Sequence, residues 1–149
     1  MKPDFHHAII KGFTLIEMMI VLIALISLVI ATIPIYSEAR LAVRRAEARS
    51  ALYQLMLQQE RNYTQYQTYQ KLDINTEYSN FKWWSGEQPE SSYYSLTATV
   101  CPAQPLTQCV LLTATPGTPL RKFSDPECGQ LSIDSAGHQR SSGKNHSCW

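Results

Sequence analysis

A chain of 149 residues with 13 Lys+Arg against 12 Asp+Glu carries a formal charge of only +1. So small an excess gives no field that would gather nucleic acid or acidic lipid over the whole surface. Beyond any membrane segment the length allows one small domain. No Gly-rich phosphate loop, Gly-x-Ser-x-Gly or paired-histidine motif occurs, so nothing in the sequence supports catalysis.

The chain opens with Lys2 and Lys11 against Asp4, a weak basic excess that fits a cytoplasmic N-terminus. From Phe13 the residues turn apolar, and Met18 through Ile33 carries no charge. With Phe13-Thr14-Leu15-Ile16 in front, the run reaches the roughly 20 residues a helix needs to cross a bilayer. Glu17 interrupts its start. An ionised acid at the bilayer centre costs about 2.5–3.5 kcal/mol, so such a residue is expected to face a cationic partner. A plain single-span anchor would need only the hydrophobicity and would leave Glu17 without a purpose. A secretory signal would have a shorter apolar core without the charge.

Gly12-Phe13 followed by Glu17, the fifth residue counted from Phe13, resembles the prepilin processing signature of type IV pilins. The resemblance implies a leader, residues 1–12, removed between Gly12 and Phe13 by a membrane prepilin peptidase that also N-methylates Phe13. It implies that Glu17 pairs with the N-terminal amine of a neighbouring subunit during fibre assembly. Residues 13–36 become the membrane and assembly helix, and residues 37–149 the periplasmic or extracellular globular part. Pro34, near the end of the apolar run as in many pilins, removes one helical hydrogen bond and is expected to kink the helix.

Past the membrane segment, residues 37–49 are rich in Ala, Arg and Glu and continue the helix. Leu41, Ala48, Ala51, Leu52, Leu55 and Met56 recur at helical spacing and mark its buried face. Tyr63, Tyr66 and Tyr69 extend a stripe that reads as packing surface. Arg40, Arg44, Arg45 and Arg49 read as a solvated face with local ion pairs to Glu38 and Glu47. A lipid-headgroup or intersubunit role for these arginines is the sharper alternative. Residues 71–92 lose periodicity and read as a loop, in which adjacent Trp83 and Trp84 should place one ring inside and one outside.

Two strands follow, 94–100 and 110–115, each alternating with period two. Four cysteines on the far side of a membrane segment suit an oxidising compartment. They allow three pairings, and sequence alone does not choose among them. If Cys101 and Cys109 pair, Val100 falls opposite Val110, Ala98 opposite Leu112 and Leu96 opposite Ala114, all on one face. Pro116-Gly117-Thr118-Pro119 is a turn, and residues 129–134 restart the alternation. Ser135-Ala136-Gly137 is a second turn, and a short edge strand from His138 is expected. The string Cys128-Gly129…Asp134…Gly137…Cys148-Trp149 resembles the C-terminal region of minor pilins of the PilE type, which implies a Cys128–Cys148 bridge. Without Cys-x-x-Cys or His at ligand spacing, no metal or cofactor is expected. Asp125, Glu127 and Asp134 read as solvated charges. His138 and His146 show no obvious orienting carboxylate.

The fold expected is α+β, a long N-terminal helix, membrane-spanning in its first half, whose outer half packs on a small antiparallel sheet. The resemblance implies a non-enzymatic minor subunit of a type IV pilus, held first in the inner membrane and then in a surface fibre serving adhesion, twitching motility and DNA uptake. Its partners would be other pilins and the assembly machinery, with DNA only indirectly involved. A type II secretion pseudopilin shares the N-terminal signature and is one alternative. A DNA-binding module is another, weakened by the thin spread of Lys71, Lys82, Arg121, Lys122, Arg140 and Lys144.

Overall fold

The computed structural model describes residues 12–74, 81–144 and 147–149, without the side chains of 31–35. Its elements are one helix, α1 (Leu15–Tyr66), and four strands, β1 (Tyr94–Val100), β2 (Val110–Pro116), β3 (Leu131–Asp134) and β4 (Gln139–Ser141). The chain divides into two compact units, Met1–Ala39 and Arg40–Trp149.

In the first unit, Thr14 stands immediately before α1 and Glu17 three residues later, the Thr-x-x-Glu spacing of a capping box. Glu17 N–H donates to Thr14 Oγ1 at 3.3 Å, and Thr14 N–H donates to Glu17 Oε2 at 3.5 Å. Leu15, Ile16 and the apolar residues after them are mostly exposed. Among the described residues no helix is long and apolar enough to cross a membrane. The helix is unbroken through Pro34. The kink expected there falls among side chains outside the described residues.

In the second unit, α1 lays Ala48, Ala51, Leu52 and Leu55 on the sheet, where they meet Leu96, Ala98, Val110, Leu112, Ala114, Leu131 and Ile133. The sheet is an antiparallel meander in the order β1-β2-β3-β4. Val100 pairs with Val110, Ala98 with Leu112 and Leu96 with Ala114, the register the alternation predicts. Leu96, Ala98, Val110, Leu112 and Ala114 are buried while Val100 is exposed, so one face of the hairpin feeds the core up to its last pair.

The outer edge of β1 is an open row of donors and acceptors, a template for unwanted strand pairing. The preceding segment covers it. Leu72 and Ala98 exchange both backbone hydrogen bonds at 3.0 Å, Leu96 N–H donates to Trp83 O, and Ser85 N–H donates to Tyr94 O. Gln59, buried on α1, fixes the start of that segment by pairing its amide with the backbone N–H and C=O of Gln70, at 2.9 and 2.8 Å. Two bridges close loops: Cys101–Cys109 under the β1–β2 connection, and Cys128–Cys148 tying the C-terminus to the start of β3.

The tyrosine stripe differs from expectation. The helix ends at Tyr66, and Gln67 adopts φ 56°, the left-handed cap conformation. The chain therefore reverses, and Tyr69 comes back to stack on Tyr63 at 4.6 Å while Tyr66 stays exposed. The two tryptophans also depart from one in, one out. Both are half-buried, with Trp83 against the core and Trp84 Nε1 donating to Glu87 O.

Candidate functional site

Of the expected N-terminal residues, Gly12, Phe13 and Glu17 are all exposed, with Phe13 81% accessible. Glu17 is engaged in the helix cap, a role the spacing Thr14-Leu15-Ile16-Glu17 carries in itself. Residues 1–11, including His6, His7 and Lys11, lie outside the described residues, as does His146.

The helical arginines divide their work, because consecutive residues on a helix point about 100° apart. Arg45 turns inward. Its Nε and Nη2 donate to the two oxygens of Asp125 at 2.7 and 2.6 Å, and Nη2 also reaches Glu127 at 2.9 Å. Asp125 further accepts the Tyr94 hydroxyl at 2.9 Å and the Cys128 N–H at 3.1 Å. Two of the charges read as solvated, Arg45 and Asp125, thus form a buried tie between α1, the start of β1 and the C-terminal disulfide loop. A carboxylate removed from water must be compensated in this way. Burial pushes the Asp125 carboxyl up, but Arg45, the Cys128 amide and the Tyr94 hydroxyl outweigh it and hold it below the usual range. The same burial and the Asp125 charge push the Tyr94 hydroxyl above the ordinary phenol range.

Asp134 was likewise expected to be solvated and is buried. Its Oδ1 accepts the N–H groups of Ala136 and His138 at 3.1 and 2.9 Å, which shapes the β3–β4 turn together with Gly137 at φ 86°. His138 does have an orienting carboxylate, since its Nδ1 lies 3.0 Å from Asp134 Oδ2, and Arg140 approaches the same oxygen at 3.7 Å. These side chains border a groove of about 290 Å³ beside the Cys101–Cys109 bridge.

Arg44 turns the other way, toward two half-buried rings. Its guanidinium Cζ lies 3.8 Å from the centre of Tyr93 and 5.2 Å from that of Phe123, while Arg121 Cζ lies 4.7 Å from Tyr93. Tyr93 and Phe123 meet edge to face at 5.3 Å. Burial raises the Tyr93 hydroxyl, yet Arg44, Arg121 and Arg40 together bring it below the ordinary phenol range. A second groove, between α1 and the loop before β1, is lined by Glu47, Gln54, Lys82, Ser85 and Glu87. Among the described residues no group of His, Cys, Asp or Glu is arranged to hold a metal ion.

The sequence matches the family model described as type IV minor pilin ComP, DNA uptake sequence receptor, over residues 34–132. The chain belongs to this type IV minor pilin family. It is therefore a non-enzymatic, pilus-associated protein of the cell surface. The matched stretch takes in the hairpin, the Arg45–Asp125 tie and the Tyr93 cluster, and ends before Cys148. The fold also resembles the Neisseria meningitidis non-core minor pilin PilV, 24% identical, with 71% of this chain and 90% of that chain covered and a TM-score of 0.47. That likeness is too loose to add to the assignment of this minor pilin. No curated protein matches the sequence.

Proposed function

We propose that this minor pilin is the DNA-receiving subunit of a type IV pilus, inserted in the fibre through α1. The observation that carries the reading is the family match over the folded part of the chain, whose description names a receptor for DNA uptake sequences. It favours direct contact with DNA over the indirect involvement that the thin charge distribution suggested.

Assembly in this reading starts from a single-pass precursor in the inner membrane. A prepilin peptidase cuts between Gly12 and Phe13 and methylates the new terminus. The exposed apolar side chains of α1, among them Leu15, Ile20, Ile23 and Leu28, need cover that the isolated chain does not supply. Lipid provides it before assembly, and the helices of neighbouring pilins provide it afterwards. Glu17 then faces the amine of the adjacent subunit, and Pro34 lets the helix bend in the fibre core. The assembled pilus supports adhesion and twitching motility as well as DNA uptake, with the pilus assembly machinery as partner.

The test is a strain lacking the gene, complemented with the wild-type chain or left empty. Loss of transformation with pili still present on the empty strain supports a receptor. Unchanged transformation would sink it.

A further inference from the structure

We propose that Arg44 and Arg121, stacked on Tyr93, form a clamp for the phosphates of a duplex DNA backbone. The assignment rests on the DNA-receptor reading and names the face that does the holding.

Among the described residues no carboxylate is paired with Arg44 or Arg121, although both lie in a half-buried setting. Arg121 Nε donates to the backbone carbonyl of Glu90, and Arg44 lies against the Tyr93 and Phe123 rings and interacts with the Tyr93 hydroxyl. Two guanidiniums drawn onto one ring repel each other, and Arg40 adds to the positive field at Tyr93. Stacking on a tyrosine face offsets part of that cost. It also holds each guanidinium against the ring, with Cζ 3.8 Å (Arg44) and 4.7 Å (Arg121) from its centre. A planar fork of this kind matches a phosphate in bidentate geometry, and its pre-organisation means little entropy is lost on binding. The Tyr93 hydroxyl is held below the ordinary phenol range by Arg44, Arg121 and Arg40, which outweigh the upward push of its burial.

The other two surfaces fit a polyanion less well. In the β3–β4 groove the Arg140 charge is offset by Asp134, which also engages His138. In the groove along α1, Lys82 stands against two carboxylates, Glu47 and Glu87. At the Tyr93 face two guanidiniums share one ring, with no carboxylate among the described residues paired to either. Phosphate contacts fix position and carry no base sequence, so the clamp supplies affinity and orientation, and any sequence preference arises elsewhere on the subunit.

The test uses the full chain in neutral-lipid nanodiscs, with fluorescence anisotropy on two unrelated duplexes across a salt series. Arg44→Gln with Arg121→Gln is expected to weaken both duplexes about tenfold or more. It should also flatten the log–log salt slope by about 2, one phosphate per guanidinium. Arg44→Lys with Arg121→Lys keeps the charges and loses the forks, so the slope should persist while affinity falls. Tyr93→Leu removes the platform and should behave like the lysine pair. Intact disulfides and unchanged tryptophan fluorescence in each variant exclude misfolding as the cause. Wild-type DNA binding matched by the glutamine pair, in affinity and slope, overturns the clamp and leaves the receptor reading standing. No binding by the wild-type chain removes both. A loss confined to one duplex means base readout and also overturns the clamp. So does a selective loss of stabilisation by phosphatidylglycerol nanodiscs with DNA binding unchanged, which would assign the face to lipid headgroups.

Discussion

Arg45 and Asp125 stand 80 positions apart and meet fork to fork, at 2.7 and 2.6 Å, with the carboxylate side chain fully shielded from solvent and the arginine 14% exposed. The pair fastens the helix to the loop that leads into the Cys128–Cys148 bridge. Removing one member of a buried pair leaves a desolvated charge without a partner, which costs about 3–5 kcal/mol. Asp125→Ala should therefore lower stability by that amount in denaturant unfolding of the full chain, followed by tryptophan fluorescence. Arg45→Met combined with Asp125→Leu removes both charges and should cost clearly less than the single change. A double variant as unstable as Asp125→Ala would mean the loss came from packing.

The same carboxylate sets the acid limb of stability. Asp125 and Asp134 are both held below the usual carboxylate range, Asp134 because the His138 amide and ring outweigh its burial. A depressed folded value means the contribution is complete above the unfolded value of about 3.9. It fades as pH falls through the lower folded values. The melting temperature should be level from neutral pH to about 5 and decline below about 4, with Asp125→Asn showing a shallower decline. Tyr94 works in the opposite sense. Its raised hydroxyl favours the fold below about pH 10, and that advantage is lost as the medium becomes more alkaline. Tyr94→Phe should flatten the alkaline limb.

What could be read from sequence followed local rules, and what could not depended on partners far along the chain. Leu96, Ala98, Val110, Leu112 and Ala114 alternate with period two, so the hairpin register is legible in the sequence. The apolar spacing of Ala48, Ala51, Leu52 and Leu55 likewise marked the buried face of α1. The role of Arg45 is not legible locally, because its helical neighbours offer weak surface ion pairs while its partner Asp125 lies 80 positions away. Asp125 sits in a stretch with no periodicity, and nothing around it announces burial. Tyr93 and Phe123 could have been suspected of drawing in cations, but only the fold brings Arg44 and Arg121 onto one ring. The Thr14–Glu17 cap is legible from the Thr-x-x-Glu spacing alone, beside the place of the same carboxylate in an apolar run.

Two glycines separate steric from conformational cost. Gly143 N–H donates to Cys128 O at 2.9 Å, and a Cβ there would overlap the Glu127 carbonyl. Backbone cannot move aside as a flexible side chain would, so Gly143→Ala should cost at least about 1–3 kcal/mol, in the range of overpacking. Gly137 has φ +86° with open space around the missing Cβ. Gly137→Ala should cost about 1–2 kcal/mol from the left-handed conformation alone. Because Gly143 is hydrogen-bonded to the bridged Cys128 itself, its variant should also become more susceptible to reduction, read by thiol labelling over time. Equal labelling of both variants would disconnect the two effects.

Glu17 has two possible duties that a standard alanine change cannot separate. As the last residue of the Thr14-x-x-Glu17 capping box it accepts an N–H at the helix start, which glutamine can also do. As the proposed partner of a neighbouring amine it must carry a charge, which glutamine lacks. Glu17→Gln should therefore retain helix formation and precursor accumulation while incorporation into pili falls, measured by immunoblot of sheared fibres against whole cells. Glu17→Ala should lose incorporation and in addition fray the first turn. A capping box in water contributes only about 1 kcal/mol, whereas an unpaired carboxylate in an oily setting costs about 2.5–3.5 kcal/mol. The charge should thus dominate, and wild-type incorporation of Glu17→Gln would leave Glu17 as a helix cap and nothing more.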